Sequence, residues 1–421
     1  MATTITTTPS KPHKVEFTGT NGDTLAARLD LPAGPVRAYA LFAHCFTCSK
    51  DIFAAKRISA ELAQRGLAVL RFDFTGLGAS EGEFANTNFS SNVADLKAAA
   101  QWLEDNHQAP AVLVGHSLGG AAVLTAAPDL PSVKAVVTIG APAEADHVTH
   151  LFNDALADIE AHGETIATIG GRPFRVQRQL LEDLAGARVI DAVKRIKAAV
   201  LVMHSPVDTT VGINNATDIF TAARHPKSFV SLDDADHLVS DHGDAAYAGE
   251  VIAAWASRFL PTIEDDVHHH KGSVVVAETG QGKFQNLVHA GPFHIFADEP
   301  ESVGGLNSGP APYDFLSIAL GACTSMTLRM YADFKKLDLG RVSVAVDHGK
   351  VHAHDCADCA EDIREKTGKV DRFERRISVE GLDPANDPEL AAKIAEIADK
   401  CPVHRTIEKG AAVVTKVEQG E

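Results

Sequence analysis

The stretch Gly115-His116-Ser117-Leu118-Gly119 decides how this chain is organised. It directly follows the apolar run at 111–114 and precedes a segment of small and apolar residues at 121–127. A strand, a sharp turn with G-x-S-x-G and then a helix is typical of a nucleophile elbow, whose glycines permit the strained backbone that exposes the serine hydroxyl. We therefore predict that Ser117 attacks an acyl carbon. The alternative is a chance G-x-S-x-G in an ordinary strand–helix turn.

Length and composition limit the classes of protein that this chain can be. With 421 residues it is too long for one ordinary core, so we expect two domains. The formal net charge of -17 argues against binding nucleic acid, and no apolar run is long enough for a membrane span. The first 14 residues lack the apolar core of a secretory signal, and six cysteines are too few for a disulfide scaffold. We expect a cytoplasmic protein.

Alternating strands and helices follow one another through residues 14–260. Apolar strand patterns fall at 38–43, 67–74, 133–139, 198–204 and 228–232, and helical patterns fall at 52–65, 91–107 and 244–259. Residues 144–195 look helical, with a break at Gly170-Gly171. This order predicts a mostly parallel sheet with helices on both faces, preceded by a lead-in at 1–13.

A serine nucleophile needs a base to take its proton and an acid to hold that base. After an elbow the expected order along the chain is nucleophile, acid, histidine. Asp208 follows an apolar strand, and His237 comes 29 residues later, after the next strand. We predict these two as acid and base, with Asp73, at another strand end, as the reserve acid. The tetrahedral intermediate needs two backbone N–H donors, which we assign to Leu118 and Phe46.

Residues 14 to about 260 resemble the α/β-hydrolase family, and specifically its small esterases and serine-aminopeptidase-like members. The elbow, the Ser205-Pro206-Val207-Asp208 segment and the Ala235-Asp236-His237 segment carry the resemblance. The chain departs from the family where Cys45 follows His44, a place at which glycine is usual. Cys45 and Cys48 have C-x-x-C spacing, and we interpret them as buried thiols in preference to a metal site.

The composition and the pattern of the sequence change after residue 260. Residues 261–272 are polar and charged and predict a linker, although the three histidines at 268–270 are also compatible with a metal site. Residues 273–421 follow as the second domain. Strand patterns at 273–277, 284–297, 341–348 and 372–380 and helical patterns at 313–328 and 388–400 predict an α+β domain.

Cys323, inside an apolar helix, and Cys401, before a proline, resemble the OsmC/Ohr family over residues 273 to about 418. The family reduces organic hydroperoxides with two cysteines, so the resemblance implies Cys323 as peroxidatic and Cys401 as resolving thiol, in an intertwined homodimer. The alternative is that Cys323 is a small buried hydrophobic residue. Tyr313 stands where the family has a glutamate, and no arginine precedes Cys323 in this domain.

A separate cluster contains His352, His354, Cys356 and Cys359. Alternate residues of a strand point to the same side, and C-x-x-C is a spacing of metal ligands. The cluster is compatible with a zinc site, a redox pair or a solvated hairpin.

The elbow and the order of its partners predict a serine hydrolase of small esters, thioesters or amides. The resemblance to the OsmC/Ohr family implies that it is fused to a thiol-dependent peroxidase. The expected partners are a small acyl substrate, an organic hydroperoxide and a thiol reductant, and neither reaction needs a cofactor. Two alternatives remain open. One is an acyltransferase, and the other is a binding or regulatory protein that keeps one site only as a ligand pocket.

Overall fold

The computed structural model describes residues 12–32, 34, 36–261, 274–280, 282–291, 293–356, 364–365 and 367–417. Its strands are β1 His13–Thr18, β2 Thr24–Asp30, β3 Ala38–Ala43, β4 Leu67–Phe72, β5 Val112–His116, β6 Ala135–Ile139, β7 Glu164–Ile169, β8 Arg172–Gln177, β9 Ala199–His204, β10 Lys227–Ser231, β11 Val274–Glu278, β12 Asn286–Ala290, β13 Phe293–Ala297, β14 Val342–His352 and β15 Lys369–Val379. Its α-helices are α1 Phe53–Gln64, α2 Phe89–Asn106, α3 Leu118–Ala126, α4 Asn153–His162, α5 Arg178–Gly186, α6 Val189–Val193, α7 Asn214–Ala222, α8 His242–Ala256, α9 Pro312–Lys335, α10 Pro388–Asp399 and α11 Pro402–Lys409.

The chain divides into two compact units, Met1–Ile295 and Phe296–Glu421. The division falls within β13, the last strand of a sheet with the order β11-β12-β13. Most of the linker expected at 261–272, including its three histidines, lies outside the described residues. The domain limits of 14–260 and 273–421 therefore stay predictions.

The first unit is built around an eight-stranded sheet with the order β1-β2-β4-β3-β5-β6-β9-β10. β2 runs antiparallel to β1 and to β4, and every pairing from β4 to β10 is parallel. Parallel strands place all their carboxyl ends at one edge, so the loops after β3, β5, β9 and β10 meet there. The mostly parallel sheet confirms the fold class predicted from the alternating patterns.

Side chains of neighbouring strand residues point to opposite faces of this sheet. Ala40 and Phe42 join the core beneath α1 and α8, whereas Leu41 joins the core beneath α2 and α3. Burial on both faces explains why the inner strands are apolar throughout instead of alternating. Both faces therefore carry helices, as the sequence predicted.

The segment at 144–195 differs from its prediction. The helical pattern is interrupted by a hairpin, in which β7 and β8 pair antiparallel across a turn at Gly170 and Gly171. Both glycines have positive φ, of 57° and 76°, which a two-residue hairpin turn requires. The prediction of helix at these positions was wrong, because buried Ala167 and Ile169 alternate with exposed residues along β7, which is the period of a strand and not of a helix.

In the second unit α9 packs against a long antiparallel hairpin, β14–β15, and against α10. Leu320, Thr324, Leu328 and Ala332 recur every four residues and form the buried stripe of α9. Asp387 caps α10 by accepting a hydrogen bond from the backbone N–H of Leu390. This helix–hairpin packing agrees with the α+β domain predicted.

Candidate active site

Ser117 stands between β5 and α3 with backbone angles of φ 54° and ψ −125°. A positive φ is uncommon for a residue with a Cβ and persists only where its surroundings impose it. The backbone after β3 approaches closely and imposes this conformation. Gly119 permits that approach, because a Cβ there would lie 2.4 Å from the carbonyl oxygens of Ala43 and His44. The turn after β5 is therefore held tightly against the loop after β3.

Ser117, His237 and Asp208 form a continuous hydrogen-bonded chain. Nε2 of His237 lies 2.9 Å from Oγ of Ser117, and Nδ1 of His237 lies 2.7 Å from Oδ2 of Asp208. The loops that carry Asp208 and His237 follow β9 and β10, which are parallel neighbours. The structure thus brings together the three residues that the sequence singled out.

Asp208 is held in its ionised form. Its other oxygen, Oδ1, accepts hydrogen bonds from the backbone N–H groups of Thr210 at 2.8 Å and Val211 at 2.9 Å. Burial opposes ionisation, but the hydrogen bonds from His237 and Val211 outweigh it and lower the pKa of Asp208. An ionised Asp208 accepts from Nδ1–H of His237, which leaves the lone pair on Nε2 facing the hydroxyl of Ser117. This arrangement suits removal of the hydroxyl proton.

The two residues predicted to supply N–H donors line one small cavity. Phe46, Leu118, Cys45 and Gly119 all contribute to its wall, and its volume is about 10 Å³. Within the part of the chain that the structure describes, neither the backbone N–H of Phe46 nor that of Leu118 has a hydrogen-bond acceptor. Unpaired N–H groups near a nucleophile are free to bind a developing oxyanion.

Cys45 and Cys48 differ from their prediction. They form a disulfide with a Cα–Cα distance of 5.3 Å, so the interpretation as buried thiols was wrong. The bond closes the loop after β3, within which Thr47 has a φ of 59°. Spacing alone could not distinguish thiols from a disulfide, because that depends on how tightly the loop turns.

Asp73, the reserve acid, is occupied elsewhere. Its carboxylate accepts hydrogen bonds from the backbone N–H of Lys50 at 2.6 Å, from Nζ of Lys50 at 2.7 Å and from the N–H of Ala79 at 2.8 Å. Arg71 reinforces this charged cluster through the backbone carbonyl of Lys50. The buried Asp73 therefore fastens the loop after β3 and does not serve His237.

Buried histidines surround the site, and sequence reasoning missed them. His116, inside the elbow motif, lies with Nε2 2.7 Å from the backbone carbonyl oxygen of His237, and burial lowers its pKa to about 4. His204 lies with Nε2 2.7 Å from the carbonyl oxygen of Val211, and burial lowers its pKa as well. Both are neutral at pH 7 and tie the loops of His237 and Asp208 to the sheet. In the sequence, only their positions at strand ends could have indicated that they lie beside the site.

Aromatic rings extend from the loop after β3 toward the β7–β8 hairpin. The ring of Phe46 lies 5.7 Å from that of Phe84 and 6.3 Å from that of Phe152, and Phe84 lies 4.9 Å from Phe174 of β8. Arg172, also on β8, donates a hydrogen bond to the carbonyl oxygen of Thr47. We call Phe46, Phe84, Phe152 and Phe174 the aromatic wall.

In the second unit the two predicted cysteines lie together. Cys323 on α9 and Cys401, the residue before α11, are free thiols in hydrogen-bond contact. Cys401 is fully buried, whereas Cys323 is partly exposed. The structure therefore joins residues that are 78 positions apart in the sequence.

The acidity of the pair differs from what the sequence implied. Burial and the hydrogen bond with Cys401 raise the pKa of Cys323. Burial opposes ionisation of Cys401 too, but the contact with Cys323 and the backbone N–H groups of His404 and Val403 outweigh it and lower the pKa of Cys401. A sulfur at the start of a helix gains from exposed N–H groups and the helix dipole. The favoured thiolate is thus Cys401.

An arginine does stand beside this pair, supplied by β15. Nη1 of Arg375 donates a hydrogen bond of 2.9 Å to Oγ1 of Thr324, which in turn contacts Cys401. A search of the sequence before Cys323 could not find it. Tyr313, at the family's glutamate position, stacks on the ring of His348 at 4.1 Å.

The His/Cys cluster does not form a strand-borne site. β14 ends at His352, and His354 lies in a short 3-10 turn, so the two do not alternate along one strand. Cys356 is disulfide-bonded and therefore lacks the thiolate that binds zinc. Cys359 lies outside the described residues. Among the described residues, no group of three or more His, Cys, Asp or Glu side chains is placed to hold a metal ion.

Two protein-family models match separate parts of the chain. Residues 34–162 match the model described as "Serine aminopeptidase, S33", and residues 305–416 match that described as "OsmC-like protein". This chain is an S33-type α/β-hydrolase fused to an OsmC-like domain. The resemblances drawn from the elbow and from the two cysteines are confirmed.

The following relatives and solved structures are similar to the first part of this hydrolase–OsmC fusion. The esterase domain of a Rhodothermus marinus protein is 52% identical with a TM-score of 0.51, over 59% of this chain and 99% of that one. The uncharacterized protein YfhR of Escherichia coli O157:H7 is 23% identical over 244 residues, 56% of this chain and 78% of its own. The mitochondrial palmitoyl-protein thioesterase ABHD10 of Rattus norvegicus is 34% identical over 103 residues, 24% of this chain and 33% of its own. Among the helices that the structure describes, none combines the length and apolarity needed to cross a membrane.

Proposed function

We propose that the hydrolase domain cleaves small esters or thioesters, with amides as a further class, through Ser117. The hydrogen-bonded chain from Asp208 through His237 to Ser117 carries the proposal. In this mechanism Nε2 of His237 takes the hydroxyl proton as Ser117 attacks the acyl carbon. Phe46 and Leu118 donate their N–H groups to the oxyanion, and Asp208 stabilises the protonated imidazole.

The second half of the cycle returns the enzyme to its starting state. His237 gives its proton to the leaving alcohol or thiol, and the acyl group stays on Ser117. Water then attacks under the same base, and the acid is released. The similarity to an esterase domain and, over a shorter stretch, to a thioesterase supports oxygen and sulfur esters as substrates. An acyltransferase would replace this water by another acceptor.

The test is the Ser117→Ala variant, assayed with p-nitrophenyl acetate. We expect kcat/KM to fall by a factor of about 10³ or more, because the base and acid act only through the serine. Ser132→Ala is the matched control, since Ser132 bonds to the carbonyl of Pro110 away from the site. A fluorophosphonate probe should label the parent chain and not Ser117→Ala. Unchanged hydrolysis in Ser117→Ala would reject the assignment, and a parent chain without label would favour a binding protein.

For the OsmC-like domain we propose thiol-dependent reduction of organic hydroperoxides. The contact between the free thiols of Cys323 and Cys401 supports it. One thiolate attacks the peroxide oxygen and, with a proton, releases the alcohol and leaves a sulfenic acid. The other thiol condenses with it to a disulfide and water, and two equivalents of a thiol reductant restore the pair.

Cumene hydroperoxide consumption with dithiothreitol tests this second activity. Cys323→Ser and Cys401→Ser should each remove thiol-dependent turnover, while Ser317→Ala on the same helix should retain it. Persistent turnover in both cysteine variants would reject the proposal. Neither reaction needs a metal or an organic cofactor, because a serine and a cysteine supply the nucleophiles. We place both activities in the cytoplasm, on domains at 14–260 and 273–421.

A further inference from the structure

We propose that the Cys45–Cys48 disulfide is a positioning element of the oxyanion site, so that ester hydrolysis is fastest with the disulfide closed and slows when it is reduced. This inference rests on the proposed function of Ser117. It assigns to the two cysteines a part in the reaction that depends on their bond and not on their thiols.

The disulfide encloses the proposed oxyanion donor. It joins the residues on either side of Phe46 and Thr47, in the first turn after β3, with Cα atoms 5.3 Å apart. The backbone N–H of Cys48 also donates a 3.1 Å hydrogen bond to the carbonyl oxygen of Cys45. So small a ring leaves the peptide that carries the N–H of Phe46 few orientations, which is the preorganisation that an oxyanion donor requires.

The backbone inside the ring is strained. Thr47 has a φ of 59°, a conformation that a β-branched residue rarely adopts. Strain of this kind persists where surrounding contacts impose it. The disulfide supplies one such contact, and Arg172 supplies another through the carbonyl oxygen of Thr47. Opening the disulfide lets Thr47 relax toward negative φ, and the neighbouring Phe46 moves with it.

A thiol can reach the bond from one side. Cys48 is partly exposed, whereas Cys45 is 3% exposed. A small thiolate therefore attacks Sγ of Cys48, the S–S bond breaks, and the sulfur of Cys45 leaves and takes a proton. A second reductant thiol displaces the first from Cys48 as its disulfide. The loop gains two electrons and two protons, and the reductant loses them.

Reduction should impair the loop without releasing it. Lys50 remains fastened to Asp73 on the far side of Cys48, through bonds of 2.6 and 2.7 Å. Loss of one oxyanion donor lowers kcat by a factor of about 10²–10³ in other serine hydrolases. Because the tethered loop keeps part of its order, we expect kcat to fall about 10- to 100-fold, with KM changed less than about threefold.

The experiment uses the full chain with p-nitrophenyl acetate, before and after dithiothreitol. The double variant Cys45→Ser/Cys48→Ser is the control, because it leaves Cys323, Cys356 and Cys401 as they are. We expect the variant to have the kcat of the reduced parent chain and to be unaffected by dithiothreitol. A trifluoromethyl ketone, which forms an oxyanion on Ser117, should bind more weakly by the same factor as kcat falls.

Three outcomes overturn the proposal. One is unchanged kcat after the thiols of Cys45 and Cys48 are shown by alkylation to be free. Another is an equal response to dithiothreitol in the double variant. The last is loss of near-UV circular dichroism on reduction of the parent chain, which would assign the disulfide to folding. The Ser117→Ala variant distinguishes failure of this proposal from failure of the proposed function, since activity in that variant rejects the proposed function itself.

Discussion

At the scale of single residues, hydrogen bonds decide which acid serves the site. Asp73 and Asp208 both follow apolar strands, and both are buried. The carboxylate of Asp73 accepts from Lys50 and Ala79, whereas that of Asp208 accepts from Nδ1 of His237. The same residue type thus fastens a loop in one place and orients a histidine in the other.

Asp208→Asn should separate these roles. An amide at this place favours the wrong tautomer of His237, so we expect kcat for p-nitrophenyl acetate to fall about 10³–10⁴-fold with the fold intact. Asp73→Asn is the control and should lower the melting temperature more than it lowers kcat. A folded Asp73→Asn variant with the larger loss of kcat would contradict the assignment.

His116 makes the stability of the fold depend on pH. Its pKa falls from 6.5 to about 4 because it is buried, so between these values the unfolded chain binds a proton that the folded chain does not. The contribution of His116 to folding stability is therefore fully present above pH 6.5 and is lost as the pH falls toward 4. This group contributes roughly 3 kcal/mol to that loss.

His116→Gln tests the contribution, because a glutamine amide can donate to the carbonyl of His237 without titrating. From pH 7.5 to 4.5 we expect the free energy of unfolding to fall by roughly 2–3 kcal/mol less in the variant than in the parent. Urea unfolding at both pH values measures it. An equal fall in both proteins would show that His116 does not carry the acid sensitivity.

At the scale of elements, the β7–β8 hairpin adds an aromatic and a charged side chain that the sheet alone does not provide. The parallel strands bring Ser117, Asp208 and His237 to one edge. From β8, Arg172 reaches the loop after β3, and Phe174 packs against Phe84 in the loop after β4. The aromatic wall is thereby completed by an element that lies outside the sheet. We infer that this wall contacts the acyl or leaving group.

Phe174→Ala tests the wall. We expect KM for p-nitrophenyl benzoate to rise about 5- to 30-fold, since a ring contact and its buried area are lost, with less than a twofold change for the acetate. Ile166→Ala is the matched control, because this residue of the same hairpin is 71% exposed. Equal effects of both substitutions, or none from Phe174→Ala, would exclude the wall from substrate binding.

At the scale of the whole molecule, the second unit exposes an apolar helix face. On α9 the exposed fractions are 66% for Met326, 73% for Met330 and 79% for Phe334, opposite the buried stripe. Contiguous apolar surface of this kind is typical of an interface. It supports the homodimer through the C-terminal domain, which we propose from the family resemblance.

Met330→Lys together with Phe334→Lys should disrupt such a dimer. We expect the parent chain to sediment as a dimer at micromolar concentration and the double variant as a monomer, because two charges would be buried in the interface. Lys336→Glu, just after the helix, is the control and should remain dimeric. A monomeric parent chain would contradict the proposal.

The sequence by itself determined which fold forms and which residues are candidates for the chemistry. Strand–helix alternation, the glycines around Ser117, and the order of Asp208 and His237 are local signals, because each depends on neighbours in the chain. They sufficed to predict the parallel sheet and the elbow, whereas the pairing of Cys323 with Cys401 was implied by the resemblance to the OsmC/Ohr family.

Only the tertiary structure decided what depends on residues distant in the chain. Asp73 is withdrawn from the acid role by Lys50, and Arg375 reaches Thr324 from a strand 51 residues away. The lower pKa of Cys401 arises because its contact with Cys323 and the N–H groups at the start of a helix outweigh burial, and the Cys45–Cys48 bond depends on a tight loop. Hydrogen bonds, burial and disulfides act through distances in space, and a linear pattern does not contain those distances.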